Sequence, residues 1–217
     1  MGSITRSFAN NITTSGVLLP ASLNNNSIAN VTAYNASVAT GGMKLISSQT
    51  ANDSATVSFT TGIDSTYKEY QFYFIDINPA TDDVQFQFNM STDSGSNYNV
   101  TKTTTNFRTY HDEADTTTTL EYVTSFDLAQ STDFQLIINS IGNGADENAV
   151  GTLTLFNPSS TTYVKHFIST LNSYHASNLS MGGYTAGYGN TTSAINAVQF
   201  KMSSGNFDGT ILMYGIK

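Results

Sequence analysis

Residues 67–88 read YKEYQFYFIDINPATDDVQFQF, and the period of their apolar residues decides the fold class. Tyr70, Phe72 and Phe74 fall on one face of an extended chain, and Tyr73, Ile75 and Ile77 on the other. Successive side chains of a strand point to opposite faces, so this is the signature of a strand rather than a helix. A strand that is apolar on both faces is either central in a sandwich or shared with a neighbouring subunit. The Asn78-Pro79 pair then stops it, because proline has no N–H for a ladder and holds its predecessor extended. Asparagine supports the turn by bonding backbone. Beyond the corner, Val84, Phe86 and Phe88 alternate with Gln85 and Gln87, as in a strand with one wet face.

The same phrase returns at residues 156–167, FNPSSTTYVKHF. Two Asn-Pro corners of this kind are expected to join strand pairs in matching places of a two-sheet fold. Period two runs through the chain from Met43 onward, broken by Gly, Asn, Asp and Ser at regular intervals. The pattern predicts about eight to ten short strands, which is the pattern of an all-β antiparallel β-sandwich or jelly roll. The stretch SYHASNLSMGGYTAGYGN (173–190) is rich in glycine and reads as a long tip loop or an edge.

Residues 1–42 differ from the rest. Ile4, Phe8 and Ile12 are spaced by four, Ile28 and Val31 by three, and Leu18 and Leu19 adjoin one another. This spacing makes short apolar stripes but no independent core. The expected organisation is an N-terminal docking arm over 1–42, with those seven residues as its contacts, followed by a β-sandwich domain over 43–217.

Only 11% of the 217 residues are charged, against about 25% in typical domains, and polarity comes instead from Ser, Thr and Asn. The net charge is -8 and the eight basic residues are scattered, so nucleic-acid binding, which needs clustered Lys and Arg, is not expected. There is no cysteine, which excludes a disulfide frame, a thiolate nucleophile and a Cys-based zinc site. No apolar run approaches the roughly 20 residues of a bilayer-spanning helix, so membrane insertion is not expected either.

The densest set of titratable groups is YHDEAD, with His111, Asp112, Glu113 and Asp115. Neighbouring carboxylates on a loop splay apart and stay solvated, whereas acid–base catalysis needs them to converge. Asp112 and Asp115, and Asp146 and Glu147 in GNGADEN, are the weak Ca²⁺ candidates, lacking the alternate-position ligands of an EF-hand. No nucleophile elbow and no phosphate cradle is present. The expectation is a protein that is not an enzyme and carries no cofactor. Tyr184 and Tyr188 among glycines, with Tyr110 beside His111 and Tyr174 beside His175, form a candidate surface for stacking on sugar rings or contacting a receptor.

The phrases SITRSFANNITTSGVLLPASLNNNSIANVTAYNASV, GIDSTYKEY…INPATD, RTYHDEAD, FNPSSTTYVKHFI and the SSGN…GTILMYGIK ending carry a resemblance. Together they resemble tail-fibre-like virion structural proteins of marine tailed bacteriophages, over most of residues 43–217. The resemblance implies a virion protein made in the host cytoplasm, other virion proteins as partners and a homo-oligomer, by that analogy a trimer. A short fibre touching a host surface glycan, a capsid decoration or cement protein, and a carbohydrate-binding or glycan-cleaving protein remain as three readings. No catalytic residue is carried over.

Overall fold

The computed structural model describes residues 42–217. The expectations for the arm, and for Ile4, Phe8, Ile12, Leu18, Leu19, Ile28 and Val31, fall outside the described residues. The chain is all-β and antiparallel, as the periodicity predicts. Its strands are β1 (Met43–Ser54), β2 (Val57–Phe59), β3 (Glu69–Pro79), β4 (Val84–Ser91), β5 (Lys102–Asp112) and β6 (Thr118–Tyr122). Then come β7 (Gln135–Ile141), β8 (Ala149–Phe156), β9 (Lys165–His175), β10 (Leu179–Gly189), β11 (Ala197–Met202) and β12 (Phe207–Ile216).

Hydrogen bonding orders them as β1-β12-β3-β8-β9-β10-β5-β6 in one layer and β7-β4-β11-β2 in the other. The two layers touch through one pairing, Ile141 with His175, where β7 meets the end of β9. Between them lies the core. Tyr70, Phe72 and Phe74 of β3 point into it, fully or almost fully buried, and so do Phe86 and Phe88 of β4 and Phe200 of β11. Rings from the two layers meet edge to face: Phe72 with Phe200 at 5.2 Å, Phe74 with Phe86 at 5.2 Å, Phe88 with Phe167 at 4.8 Å. Such pairs add about 0.5–1.5 kcal/mol each beyond area burial. Tyr70, Phe72 and Phe74 are therefore not available to a neighbouring subunit; the outward residues in that stretch of β3 are Gln71, Tyr73 and Ile75.

Ile77 does not share their face. Asp76 adopts φ 53° and the β3–β8 register shifts between Phe74 and Ile77, so the bulge turns Ile77 into the core, fully buried. Both Asn-Pro corners end strands, but they are not in matching places. Asn78-Pro79 carries the chain from one layer to the other, and the Asn78 amide donates to the carbonyls of Gly144 (3.0 Å) and Glu147 (2.5 Å), pinning the β7–β8 loop. Asn157-Pro158 closes the β8–β9 connection within one layer, with Asn157 at φ 45°, a left-handed conformation that asparagine tolerates.

One half of the large layer has inverted polarity. On β5 the inward residues are Lys102, Thr104 and Asn106, all buried, while Thr105 and Phe107 face outward and are exposed. Beneath them the buried groups satisfy one another. Thr104 donates to Gln135 Oε1 (2.7 Å), Asn106 to Thr185 Oγ1 (2.7 Å), and Lys102 to Asn89 Oδ1 (2.6 Å) and Val100 O (2.7 Å). A buried polar layer holds only when paired in this way.

Candidate functional site

The inversion leaves apolar side chains on the outside. β10 lies between β9 and β5, paired with both along its whole length. It is neither a tip loop nor an edge, and the glycine-rich segment that suggested one is a central strand. The reason is close packing: a Cβ on Gly183 would lie 2.8 Å from Ile138 Cδ1 and 2.9 Å from Ile137 O, so only glycine lets β7 approach.

The outward residues of β10 are Gly182, Tyr184, Ala186 and Tyr188, and the register sets each in a row across the layer. Tyr184 stands between Thr170 and Phe107, and that row continues to Tyr122 on one side and through Thr152 and Tyr73 to Leu212 on the other. The row through Ala186 holds Ile168, Thr105, Thr154, Gln71 and Tyr214. The row through Gly182 holds Asn172, Thr109, Leu120 and Val150. No position in these three rows is charged. Leu120 is 71% exposed, Tyr122 56% and Ile168 53%. The Phe107 and Tyr184 rings stack in parallel, 4.7 Å apart and 8° from coplanar, as a ridge in the middle of the face.

Hollows lie on either side of the ridge. The larger, about 780 Å³, is walled by Tyr184, Leu120, Val150, Thr170, Asn172 and His111, among others. The second, about 450 Å³, is lined by Tyr188, His166, Ile168, Ala186 and Thr105, with the His166 and Tyr188 rings 5.9 Å apart. A third, about 540 Å³, opens beyond the first towards the β9–β10 turn and is acidic, with Asp112, Glu113, Asp115 and Asp146 on its rim.

No protein-family model, curated protein or solved structure matches the chain. The functional reading rests on the face itself.

Of the six predicted contact residues, Tyr184 and Tyr188 share the outer face of β10. Tyr110 packs against the core and reaches only the rim of the larger hollow. His111 lines both the larger and the acidic hollow, and Tyr174 only the acidic one, where its hydroxyl donates to Asn178 Oδ1 (3.3 Å) and the neighbouring Glu113 carboxylate raises its pKa. His175 stands apart: its Nδ1 accepts from the Ser177 amide (3.0 Å), it pairs with Ile141, and burial lowers its pKa. The six do not form one site.

The carboxylates are largely engaged in shaping turns. Asp112 Oδ1 accepts from the Thr116 and Thr117 amides (2.9 and 2.8 Å), Asp115 meets His111 Nε2 (3.0 Å), and Glu147 Oε2 accepts from the Gly144 amide (2.5 Å). The Thr116 hydroxyl, donating to Asp112 Oδ2 (2.5 Å), together with the Thr117 and Thr116 amides, holds the Asp112 pKa below the usual carboxylate range. Among the described residues no three His, Asp or Glu side chains are placed to hold a metal ion. Sequence reasoning missed Phe107, Leu120, Tyr122, Val150, Ile168 and His166. Their signal was present as apolar residues in the phase opposite to the buried set of each strand, but Lys102, Thr104 and Asn106 disguised which phase of β5 was the inner one.

Proposed function

We propose that the chain is a non-enzymatic bacteriophage virion structural protein, a short fibre or appendage whose β-sandwich meets the host surface through the outer face of β9, β10, β5 and β6. The observation that supports this is the uncharged, partly apolar face backed by buried polar side chains of β5, Lys102, Thr104 and Asn106, that are hydrogen-bonded. Contiguous exposed apolar surface on a folded domain marks an interaction site. Residues 1–42 would attach the sandwich to the particle.

Replacing Tyr184 and Tyr188 together with alanine is expected to reduce binding of the protein to host cells by at least about tenfold, on the order of 1.4 kcal/mol. The melting temperature should stay within about 2 °C, because both side chains stand outside the core. Unchanged cell binding would refute the contact role of the face. Deleting residues 1–42 is expected to leave a folded body that no longer incorporates into particles, and full incorporation would refute the docking role.

A capsid decoration protein is the second reading, favoured by β1, a 12-residue strand that among the described residues pairs with β12 alone and so presents a long edge to a coat subunit. Cryo-EM of purified particles separates the two: density at the tail supports attachment, and density over the head lattice supports decoration.

A further inference from the structure

We propose that the ligand of this face is a neutral glycan laid along β10, with one end in the hollow beside Tyr184 and the other in the hollow beside Tyr188. The inference rests on reading this face as the contact surface and goes further by fixing the chemical class of what it contacts.

Charge is the first argument. Neither hollow is lined by a Lys, Arg, Asp or Glu. Arg108, between Phe107 and Thr109 on β5, is engaged: its Nε lies 2.6 Å from Glu121 Oε1, and its guanidinium sits over the Tyr110 and Phe126 rings at 5.6 Å. A sialylated, uronate-bearing or sulfated chain would find no counter-charge here. It would also meet the acidic hollow, which shares His111, Asn172 and Ser180 with the larger one. Like charges so placed disfavour an anionic ligand.

The second argument is the mixture of groups. Thr109, Thr118, Thr119, Thr170 and Ser180 bring hydroxyls to the larger hollow. Hydroxyls donate and accept, as the hydroxyls of a sugar do. Tyr184 and Tyr188 add flat apolar faces with a polar tip, suited to the C–H face of a pyranose. Geometry is the third. From Gly182 to Ala186 the strand advances ~14 Å at about 3.4 Å per residue, so a single sugar fills one hollow and only a longer chain spans both. The site is built on paired strands, so binding orders little of the protein.

The chain contains no tryptophan and twelve tyrosines, so its fluorescence is that of tyrosine, and the part that Y184A and Y188A each remove from the ligand-induced change is the signal of this face. The full-length protein is titrated with neutral glucan, mannan and galactan oligosaccharides of increasing length, and with sialylated, uronate and sulfated oligosaccharides, by fluorescence and calorimetry. At least one neutral series should bind, its longer members at least about tenfold more tightly than the monosaccharide, and the anionic chains at least about tenfold more weakly. Y184A and Y188A should each remove the gain from length while leaving the fold intact. Equal or tighter binding of anionic chains overturns the proposal. So does the absence of binding to any glycan while Y184A still abolishes cell attachment; the face would then contact a protein and the attachment reading would stand. Neutral-glycan binding by a protein absent from particles supports the proposal and removes the attachment reading instead.

Discussion

Replacing Phe200 with alanine should destabilise the β-sandwich by about 3–5 kcal/mol, the largest effect expected of any single core substitution here. Phe200 is fully buried on β11. Its ring stands 5.1 Å from Phe74, 5.2 Å from Phe72, 5.9 Å from Phe86, 6.3 Å from Phe59 and 6.4 Å from Phe88. Those five rings come from β2, β3 and β4, so one side chain ties both layers together. Its removal leaves a cavity walled by rigid rings, which collapse poorly into the space. The melting temperature should fall on the order of 10 °C, and urea unfolding should show a lower midpoint at an unchanged slope. Phe200→Leu, which keeps most of the volume, should cost less than half as much. A Phe200→Ala protein melting within 2 °C of the parent would contradict this packing.

The second large effect is a dependence of stability on pH centred on Lys102. This side chain is fully buried, and burial drives its pKa down to about 7, opposed in part by the charge of Asp133. In the unfolded chain the same amine titrates near 10.5. Between those values the unfolded state binds more protons than the folded one, so stability rises as pH rises through the window. Below pH 7 both states are protonated and the cost of burying the charge is fully present. Above about 10.5 both are neutral and the cost is gone. Unfolding free energy should therefore increase by about 2 kcal/mol from pH 7 to pH 9, at about 1.4 kcal/mol per unit of fully differential protonation.

Lys165 faces inward in the same row, with Gly189 paired to both lysines, and burial lowers its pKa in the same direction. Its contribution adds to the slope with the same sign. His175, held below its ordinary value by burial, titrates beneath this window. Lys102→Met keeps the aliphatic stem and removes the proton, so the rise between pH 7 and 9 should shrink to what Lys165 supplies. Denaturant melts at pH 6, 7, 8 and 9 on both proteins measure it, and identical slopes for the two would sink the assignment.

The apolar half of the fold was legible because each strand there obeys one rule: Tyr70, Phe72 and Phe74, then Val84, Phe86 and Phe88, put large side chains in one phase and glutamines or tyrosines in the other. The other half was not, because burial and hydrophobicity part company in it. Lys102, Thr104 and Asn106 read as a wet face and lie inside, since partners from β4, β7 and β10 satisfy them. Those partners sit 13 to 79 residues away, too far for local periodicity to register. β10 failed as a strand for a related reason. Gly183 answers to β7, which packs beneath it, and Gly187 and Gly189 to Thr104 and Met90, and nothing local announces those approaches. The turn of Ile77 into the core depended on one left-handed residue, Asp76, whose bulge resets the alternation. Tyr184 and Tyr188 were legible as surface tyrosines and stand half-buried on the outer face, but their neighbours Phe107, Ile168 and Leu120 came together only through cross-strand register.

The inverted strand also separates what holds this domain together from what it shows to the outside. Beneath β5 the hydrophilic residues are satisfied by one another and owe nothing to the side chains above them. Phe107 is 43% exposed and Leu120 71%, and neither belongs to the core. Drift at these positions is therefore close to neutral for folding. The surface can be rewritten residue by residue, exchanging one target for another, while the scaffold beneath keeps the same free energy of unfolding.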